Sequence, residues 1–399
     1  MSSDPLLEQL ADHLRAIDAT SDTPLLESTQ QEIREVAFGE EPTLYAADFS
    51  PGERASGPQP AFDAEFVRDR EPVVDPVEAA VLGVEAIRSG SELEREPTLY
   101  AAAIVLKTGR PAVDVLDDSF VVPGPPWAGL ADHRATISKR LPSIGRIRSA
   151  SAAYGNVAGT GFLVGPGLLM TNRHVADYFA LGAGREGLVL LAEEGASCDL
   201  AAEAGSLREV LLEIDEPVLL HPYWDVAVLR VSGDALAGLE PLRLRSSAPP
   251  APAAGREVVV VGYPVKQYLR QKELRELRST IFGAEFGVKK LLPGKLAARK
   301  TVPTQLPGGV GTRDVSAQGH DASTLAGNSG SAVIDPATGE VLAVHFKGYA
   351  LEANYAVPAW ELARDPQLRD LDGQGLSVSF TGHEPADPDP EVEAAWAAL

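Results

Sequence analysis

The sequence predicts a mainly β protein with an α+β region at its N-terminus. Two observations predict it. From about residue 144 onward, short apolar runs alternate with turns such as Gly165-Pro166-Gly167 and Asp335-Pro336-Ala337-Thr338-Gly339, the pattern of antiparallel hairpins. Before about residue 141, apolar residues recur at helical spacing instead. The chain of 399 residues has room for two domains or more, and 44% apolar residues supply a sizeable core.

In chain order, Leu6, Leu7, Leu10, Leu14 and Ile17 predict an amphipathic helix over Pro5 to Ile17. Val77 to Ile87 is a second helical segment. The string Glu-Pro-Thr-Leu-Tyr-Ala-Ala occurs at Glu41 to Ala47 and again at Glu96 to Ala102, which two copies make a duplicated strand entry and not a solenoid. Pro51 to Pro60 reads as a loop. Ala102 to Leu106 and Ala112 to Leu116 flank Gly109-Arg110-Pro111 and predict a hairpin. Pro123-Gly124-Pro125-Pro126 reads as a linker. Residues 1–135 are therefore expected to be an accessory, regulatory region, 136–372 a β domain and 373–399 an acidic flexible tail.

Within the β domain, three strings carry chemistry. Gly161 to Thr171 is two apolar runs around Gly165-Pro166-Gly167, a hairpin that ends on Asn172-Arg173-His174-Val175. Asp225 follows Tyr223-Trp224 and opens the strand Val226 to Val231; shielded by rings, it needs a hydrogen-bond partner such as an imidazole. In Gly327-Asn328-Ser329-Gly330-Ser331 the glycines permit a tight turn, which directs the N–H groups of Gly327 and Ser329 to one place. A serine hydroxyl needs a base to become nucleophilic, and the base needs a carboxylate to orient it. His174, Asp225 and Ser329 are the residue types that chemistry requires.

The order His, Asp, Ser and the strings around each residue resemble the trypsin/chymotrypsin-like serine proteases, over roughly Ile144 to Leu362. The chain is similar to the bacterial branch that includes the glutamyl endopeptidases. Ile281-Phe282-Gly283 and Val288 to Gly294 resemble a segment of bacterial intracellular trypsin-like peptidases. The resemblance implies a chymotrypsin-like double antiparallel β-barrel, roughly Ile144 to Leu244 and Glu257 to Val357, with the site between. It implies a catalytic triad of His174, Asp225 and Ser329, His174 within hydrogen-bond reach of both partners, and an oxyanion hole at Gly327 and Ser329. One departure is Asn328. Trypsin-like zymogens carry an Asp there, which pairs with a newly cut N-terminus, so that activation switch is not expected here.

The resemblance places the substrate pocket at Thr324, His345, Lys347 and Gly348. No Asp stands where trypsin-like enzymes recognise Arg or Lys. Thr324 and a partly charged His345 match positions that contact an acidic side chain in the glutamyl endopeptidases, while a His there is also a common core residue. Acidic and small or apolar P1 side chains both remain open.

Composition narrows the partners. A formal charge of −22 argues against nucleic acid and against an anionic membrane surface. Residues 266–300 are an exception, an island of ten Lys or Arg and three Glu, expected as a solvated surface insertion with a helix over Gln267 to Leu277. A helix is also expected over Ala359 to Leu371. The single cysteine, Cys198, permits no intramolecular disulfide. The N-terminus lacks a signal-peptide pattern, so a cytoplasmic protein is expected. No His or Cys spacing suits zinc and no phosphate-binding loop is present, so neither metal nor cofactor is expected. The function expected is a serine endopeptidase acting on protein or peptide substrates, regulated by its N-terminal region. The alternative is a protease-fold binding or adaptor module that is catalytically silent.

Overall fold

The computed structural model describes residues 8, 11, 12, 14, 15, 76–90 and 109–399, the last range with gaps at 154, 252, 267–271, 310, 350–352, 372–375 and 383–386. The chain divides into two compact units, 1–109 and 110–399, so the expected boundary at 135/136 falls inside the second unit. The duplicated strings, the loop at 51–60 and the first arm of the 102–116 hairpin lie outside the described residues.

In the first unit, helix α1 (Pro76–Ser89) matches the second predicted helix. Its Val84 and Ile87 are fully buried, as are Ala11 and Leu14. Arg15 Nε and Nη2 donate to the Ile87 carbonyl at 3.0 and 2.9 Å, which satisfies an acceptor at the helix end.

The second unit opens with strands β1 (Val113–Leu116) and β2 (Ser119–Phe120), then helix α2 (Leu130–Ser138). A closed barrel follows, built from β3 (Ile144–Arg148), β4 (Val157–Gly165), β5 (Leu168–Thr171), β8 (Ser197–Asp199), β9 (Leu211–Leu220) and β10 (Ala227–Ser232). Helix α3 (Arg173–Ala176) and a short pair, β6 (Ala180–Leu181) and β7 (Val189–Leu190), interrupt it. After β11 (Leu244–Arg245) comes the second barrel. Its strands β12 (Glu257–Gly262), β13 (Lys290–Lys295), β15 (Thr312–His320), β16 (Ala332–Ile334), β17 (Val341–Tyr349) and β18 (Ala353–Pro358) pair in the order β15-β18-β17-β16-β12-β13. A bridge between Leu296 and His320 joins the two ends of that path and closes the ring. Strand β14 (Lys300–Gln305) extends β15 as a hairpin, and β1 pairs with β13. The trypsin-like, mainly β fold is thus present.

Both faces of the central strands are buried, which is why they read as continuous apolar runs. The period of two sorts their side chains. Leu163, Leu169 and Leu229 fill the first barrel, Val258, Val260 and Leu292 fill the second, and Phe162, Met170, Val228, Val259 and Val261 pack in the layer between.

Several expectations need correction. The basic-island helix is described from Lys272 as α4 (Lys272–Phe282) and runs past the expected end at Leu277 to Phe282; the first part of the expected segment, 267–271, lies outside the described residues. Lys289 and Lys290 of the island are not solvated: Lys289 Nζ donates to the carbonyls of Leu141 (2.8 Å) and Leu200 (2.9 Å), and Lys290 pairs with Asp114. Lys289, just before β13, and Lys290, its first residue, bury their stems while their ammonium groups find acceptors. The expected helix at 359–371 is two pieces, α5 (Ala359–Leu362) and α6 (Pro366–Arg369), since Pro366 cannot continue the first. Beyond β19 (Phe380–Thr381), the expected flexible tail contains helix α7 (Pro390–Ala397), capped by Asp389 and packed through Val392 and Ala395. Among the described residues no helix is long and apolar enough to cross a membrane.

Candidate active site

Register brings His174 and Asp225 together. Ala227 of β10 pairs with Thr171 of β5, so the residue two before one strand meets the residue three after the other. His174 takes both oxygens of the Asp225 carboxylate: its backbone N donates to Oδ1 at 3.0 Å and its ring Nδ1 lies 2.6 Å from Oδ2. An ionised carboxylate only accepts, so Nδ1 carries the hydrogen and Nε2 of the neutral ring is left as an acceptor. Burial opposes charge on both groups, but their mutual attraction outweighs it: the His174 pKa is raised and that of Asp225 is lowered. The Asp225 side chain is 7% exposed, whereas that of His174 is 31% exposed and accessible to a reactant.

Neighbouring residues, to which the sequence assigned no role, hold this pair. Asn172 Nδ2 donates to the Asp225 carbonyl at 2.8 Å. Arg173, 1% exposed, donates to the carbonyls of His221 (2.5 Å) and Trp224 (3.0 Å) and, across the barrels, to that of Gln305. His221 Nδ1 accepts the N–H groups of Tyr223 (3.0 Å) and Trp224 (3.1 Å), which folds the loop that leads into Asp225.

Ser329 comes from the loop before β16. Thr160 N donates to the Ser329 carbonyl at 2.8 Å and Thr160 Oγ1 to that of Gly327 at 2.7 Å, while Thr171 Oγ1 donates to the Thr160 carbonyl at 2.7 Å. These contacts pin the loop of the second barrel to the strands of the first. A side chain at Gly159 would meet both Val175 Cγ2 (2.7 Å) and the Ser329 carbonyl (2.8 Å), so Ser329 and the residue after His174 flank one point. No hydrogen bond joins Ser329 Oγ to the His174 ring, so the expected contact on that side is not formed.

The loop turns two amides outward. The Ala326 carbonyl accepts from Val265 N at 2.8 Å and the Asn328 carbonyl from Ser331 N at 2.9 Å. In a trans peptide the N–H points opposite to the C=O, so fixing these carbonyls aims Gly327 N–H and Ser329 N–H the other way. Neither donates to an acceptor among the described residues. Gly327 achieves the turn at φ +87°, where a Cβ would also strike the Tyr263 carbonyl at 2.2 Å.

At the expected pocket, Thr324 Oγ1 donates to Asn354 Oδ1, and Asn354 Nδ2 donates to the Ala322 carbonyl at 2.7 Å. A Cβ on Gly348 would meet Asn354 Oδ1 at 2.4 Å and Thr324 Oγ1 at 3.4 Å, which places Gly348 against both. His345, 3% exposed, has its Nδ1 3.1 Å from His320 Nε2, the rings meeting edge to face. Burial, then the neighbouring imidazoles, drives the His345 pKa well below 6.5, so this ring is neutral and not partly charged as expected. Lys347 Nζ donates to the Pro303 carbonyl at 3.0 Å. His320 and Asn354 escaped sequence reasoning; neither lies in a string with a recognisable pattern. Among the described residues no His, Cys, Asp and Glu cluster suits a metal ion.

Residues 159–344 match the family model described as a trypsin-like peptidase domain. The Rv3671c protease of M. tuberculosis in its active form is 23% identical, covering 67% of this chain and 94% of its own, with a TM-score of 0.41. The HtrA-type protease AlgW with decapeptide is 18% identical, covering 58% of this chain and 66% of its own, with a TM-score of 0.36. A serine endoprotease from Yersinia pestis is also 18% identical, covering 57% of this chain and 62% of its own, with a TM-score of 0.36. No curated protein matches the chain.

Proposed function

We propose, from the premise that the chain carries a trypsin-like serine peptidase domain, that it is an endopeptidase acting through Ser329, His174 and Asp225. The observation that carries this proposal is the carboxylate of Asp225 bound twice by His174, at Oδ1 and Oδ2. That arrangement leaves Nε2 as a base of raised pKa on an accessible ring. Nε2 takes the proton of Ser329 Oγ as the oxygen attacks the peptide carbonyl carbon. The negative charge that develops on the carbonyl oxygen is met by Gly327 N–H and Ser329 N–H. His174 then gives the proton to the leaving amine, and the acyl-enzyme is hydrolysed by water activated by the same ring. The Ser–His contact forms as the substrate closes the site, because apo geometry is commonly looser.

A likeness to the glutamyl endopeptidases supports a carboxyl side chain at P1, bound by Thr324 and His345. Because His345 is neutral in the free protein, such a substrate is taken up together with a proton, and cleavage after Glu weakens as pH rises. The buried, uncharged state of His345 favours a second class, small or apolar P1 residues. A peptide-library profile on the wild type and His345→Ala separates them: loss of Glu cleavage in the variant supports the first, and indifference supports the second.

The peptidase reaction is tested by labelling the full chain with a small fluorophosphonate. A mass adduct on Ser329, lost in Ser329→Ala together with peptide hydrolysis, is expected. An unlabelled, folded chain makes the adaptor alternative the better account. The N-terminal region is proposed to limit access of large substrates to the site, which its own compact unit and the acidic stretch Glu92 to Glu96 support. Equal ratios of protein to small-ester hydrolysis in the full chain and in a chain starting at Gly109 overturn that part.

A further inference from the structure

Arg110 is the first residue of the second unit and is 1% exposed. A buried guanidinium needs a counter-charge and acceptors for its N–H groups. Asp321 supplies both: Nε donates to Oδ1 at 2.7 Å and Nη2 to Oδ2 at 2.5 Å, a two-pronged contact that a guanidinium can make and an ammonium cannot. The same guanidinium lies 5.3 Å from the ring centroid of the buried Trp127. The Arg110 backbone adds a second tie, its carbonyl accepting from Ser323 Oγ at 2.8 Å. From the other side, Asp321 Oδ1 accepts from Lys295 N at 2.7 Å.

The chain gripped in this way runs straight into the site. Residues 322–326 belong to no strand or helix, so side-chain ties must do what a strand ladder does elsewhere. They carry Thr324, Leu325, whose carbonyl accepts from Asn328 N at 3.1 Å, and Ala326, whose carbonyl orients the Gly327 amide.

We propose that Arg110 is a positioning residue of the peptidase site. Through Asp321 and Ser323 it holds residues 321–326 so that Gly327 N–H and Ser329 N–H converge, and the site is thereby assembled in the uncut chain. The proposal rests on Ser329 being the nucleophile. It answers the question that Asn328 raises. Asn328 bears no charge to receive a new N-terminus, and its Nδ2 turns back onto the Leu325 carbonyl at 3.2 Å. A cation from the segment entering the domain already meets a carboxylate from the segment before the nucleophile, with no chain cut required.

The test uses the full-length chain, a small fluorophosphonate and a small peptide ester. The wild type is expected to label at Ser329 while its intact mass shows no cleavage; labelling that begins only after cleavage overturns the proposal. Arg110→Ala and Asp321→Asn are each expected to slow acylation roughly ten- to a hundredfold, the scale of a small misplacement in a site. The loss should fall on kcat more than on KM, Arg110→Lys should recover part of it, and the double variant should be no slower than the worse single one. A folded Arg110→Ala that acylates within about twofold of wild type overturns the proposal. Where that variant fails to fold, Asp321→Asn, which conserves volume, and Arg110→Gln, which keeps a polar N–H donor, are held to the same criterion. A wild type that never labels at Ser329 refutes the peptidase reaction itself, and this proposal falls with it; a labelled wild type with unaffected variants refutes the positioning role alone.

Discussion

The guanidinium of Arg173 donates to the carbonyl of Trp224 at 3.0 Å, which joins the residue before His174 to the residue before Asp225. The proposed base and its carboxylate are therefore held as one piece, through their neighbours as well as through each other. The same side chain binds the His221 and Gln305 carbonyls, so one buried cation ties together three backbone acceptors from separate parts of the chain. Burial lowers its pKa, yet the charge is retained against nearby Asp225 and Asp177.

Arg173→Met should lose about 3 kcal/mol of stability, because it removes the donor to the buried His221 carbonyl and the charged contacts to Trp224 and Gln305. Peptide hydrolysis should fall together with the melting temperature. A variant that melts like wild type would show that the three contacts contribute little.

The pH–rate profile should report His174. Burial favours its neutral form, but the Asp225 carboxylate outweighs burial and raises its pKa. Catalysis needs the neutral ring, so kcat/KM should rise with pH to a midpoint above 6.5. The associated stability runs the other way, full at pH below the unfolded value of about 6.5 and lost as pH rises through the folded one. Asp225→Asn should move the midpoint down and reduce turnover by about four orders of magnitude.

Acid should destabilise the fold through three other imidazoles. Burial lowers the pKa of His221 and His345, and that of His320 to about 4. Each ring gains its proton in the unfolded chain first, so its contribution is present above about pH 6.5 and is lost as pH falls, by about 1.4 kcal/mol per unit. Thermal melts between pH 7.5 and 5 should show a steady decline that His320→Gln makes shallower. A flat profile in the wild type contradicts these assignments.

Gly330→Ala should abolish activity. At φ +86° a Cβ would lie 2.1 Å from the Thr160 carbonyl and 2.4 Å from Thr171 Oγ1, the atoms that anchor the Ser329 loop. Retention of fluorophosphonate labelling at the wild-type rate would mean that the loop tolerates displacement.

The C-terminal helix should be a structural part of the domain. Trp396 Nε1 donates to Asp365 Oδ2 at 2.7 Å, the oxygen that lies 3.0 Å from His221 Nε2, and Tyr223 OH donates to Glu391 at 2.6 Å. Both His221 and Tyr223 belong to the loop that leads to Asp225. Deleting residues 390–399 should therefore lower the melting temperature by several degrees and slow hydrolysis, with the proportion read by calorimetry and a peptide assay.

What the sequence determined by itself is local. The hairpin of β4 and β5, the strand after Asp225 and the glycine turn around Ser329 are each written in one stretch of chain, where residue size, turn chemistry and periodicity act between near neighbours. The chain order of His174, Asp225 and Ser329 was legible for the same reason. The acidic composition around residues 384–393 hid α7, because Val392 and Ala395 become apolar burial only when the helix joins the core, with Trp396 against His221.

The tertiary structure alone decided which distant groups meet. Arg110 and Asp321 stand 211 positions apart, Lys289 lies 148 positions from Leu141, and His320 faces His345 across β15 and β17 rather than along one of them. Such pairs depend on strand register and on the closing of each barrel, where a slip of one residue turns a side chain to the opposite face. No local pattern carries that information. It resides in the summed burial of many small apolar side chains, which selects one register for the whole domain and leaves each buried charge beside its partner.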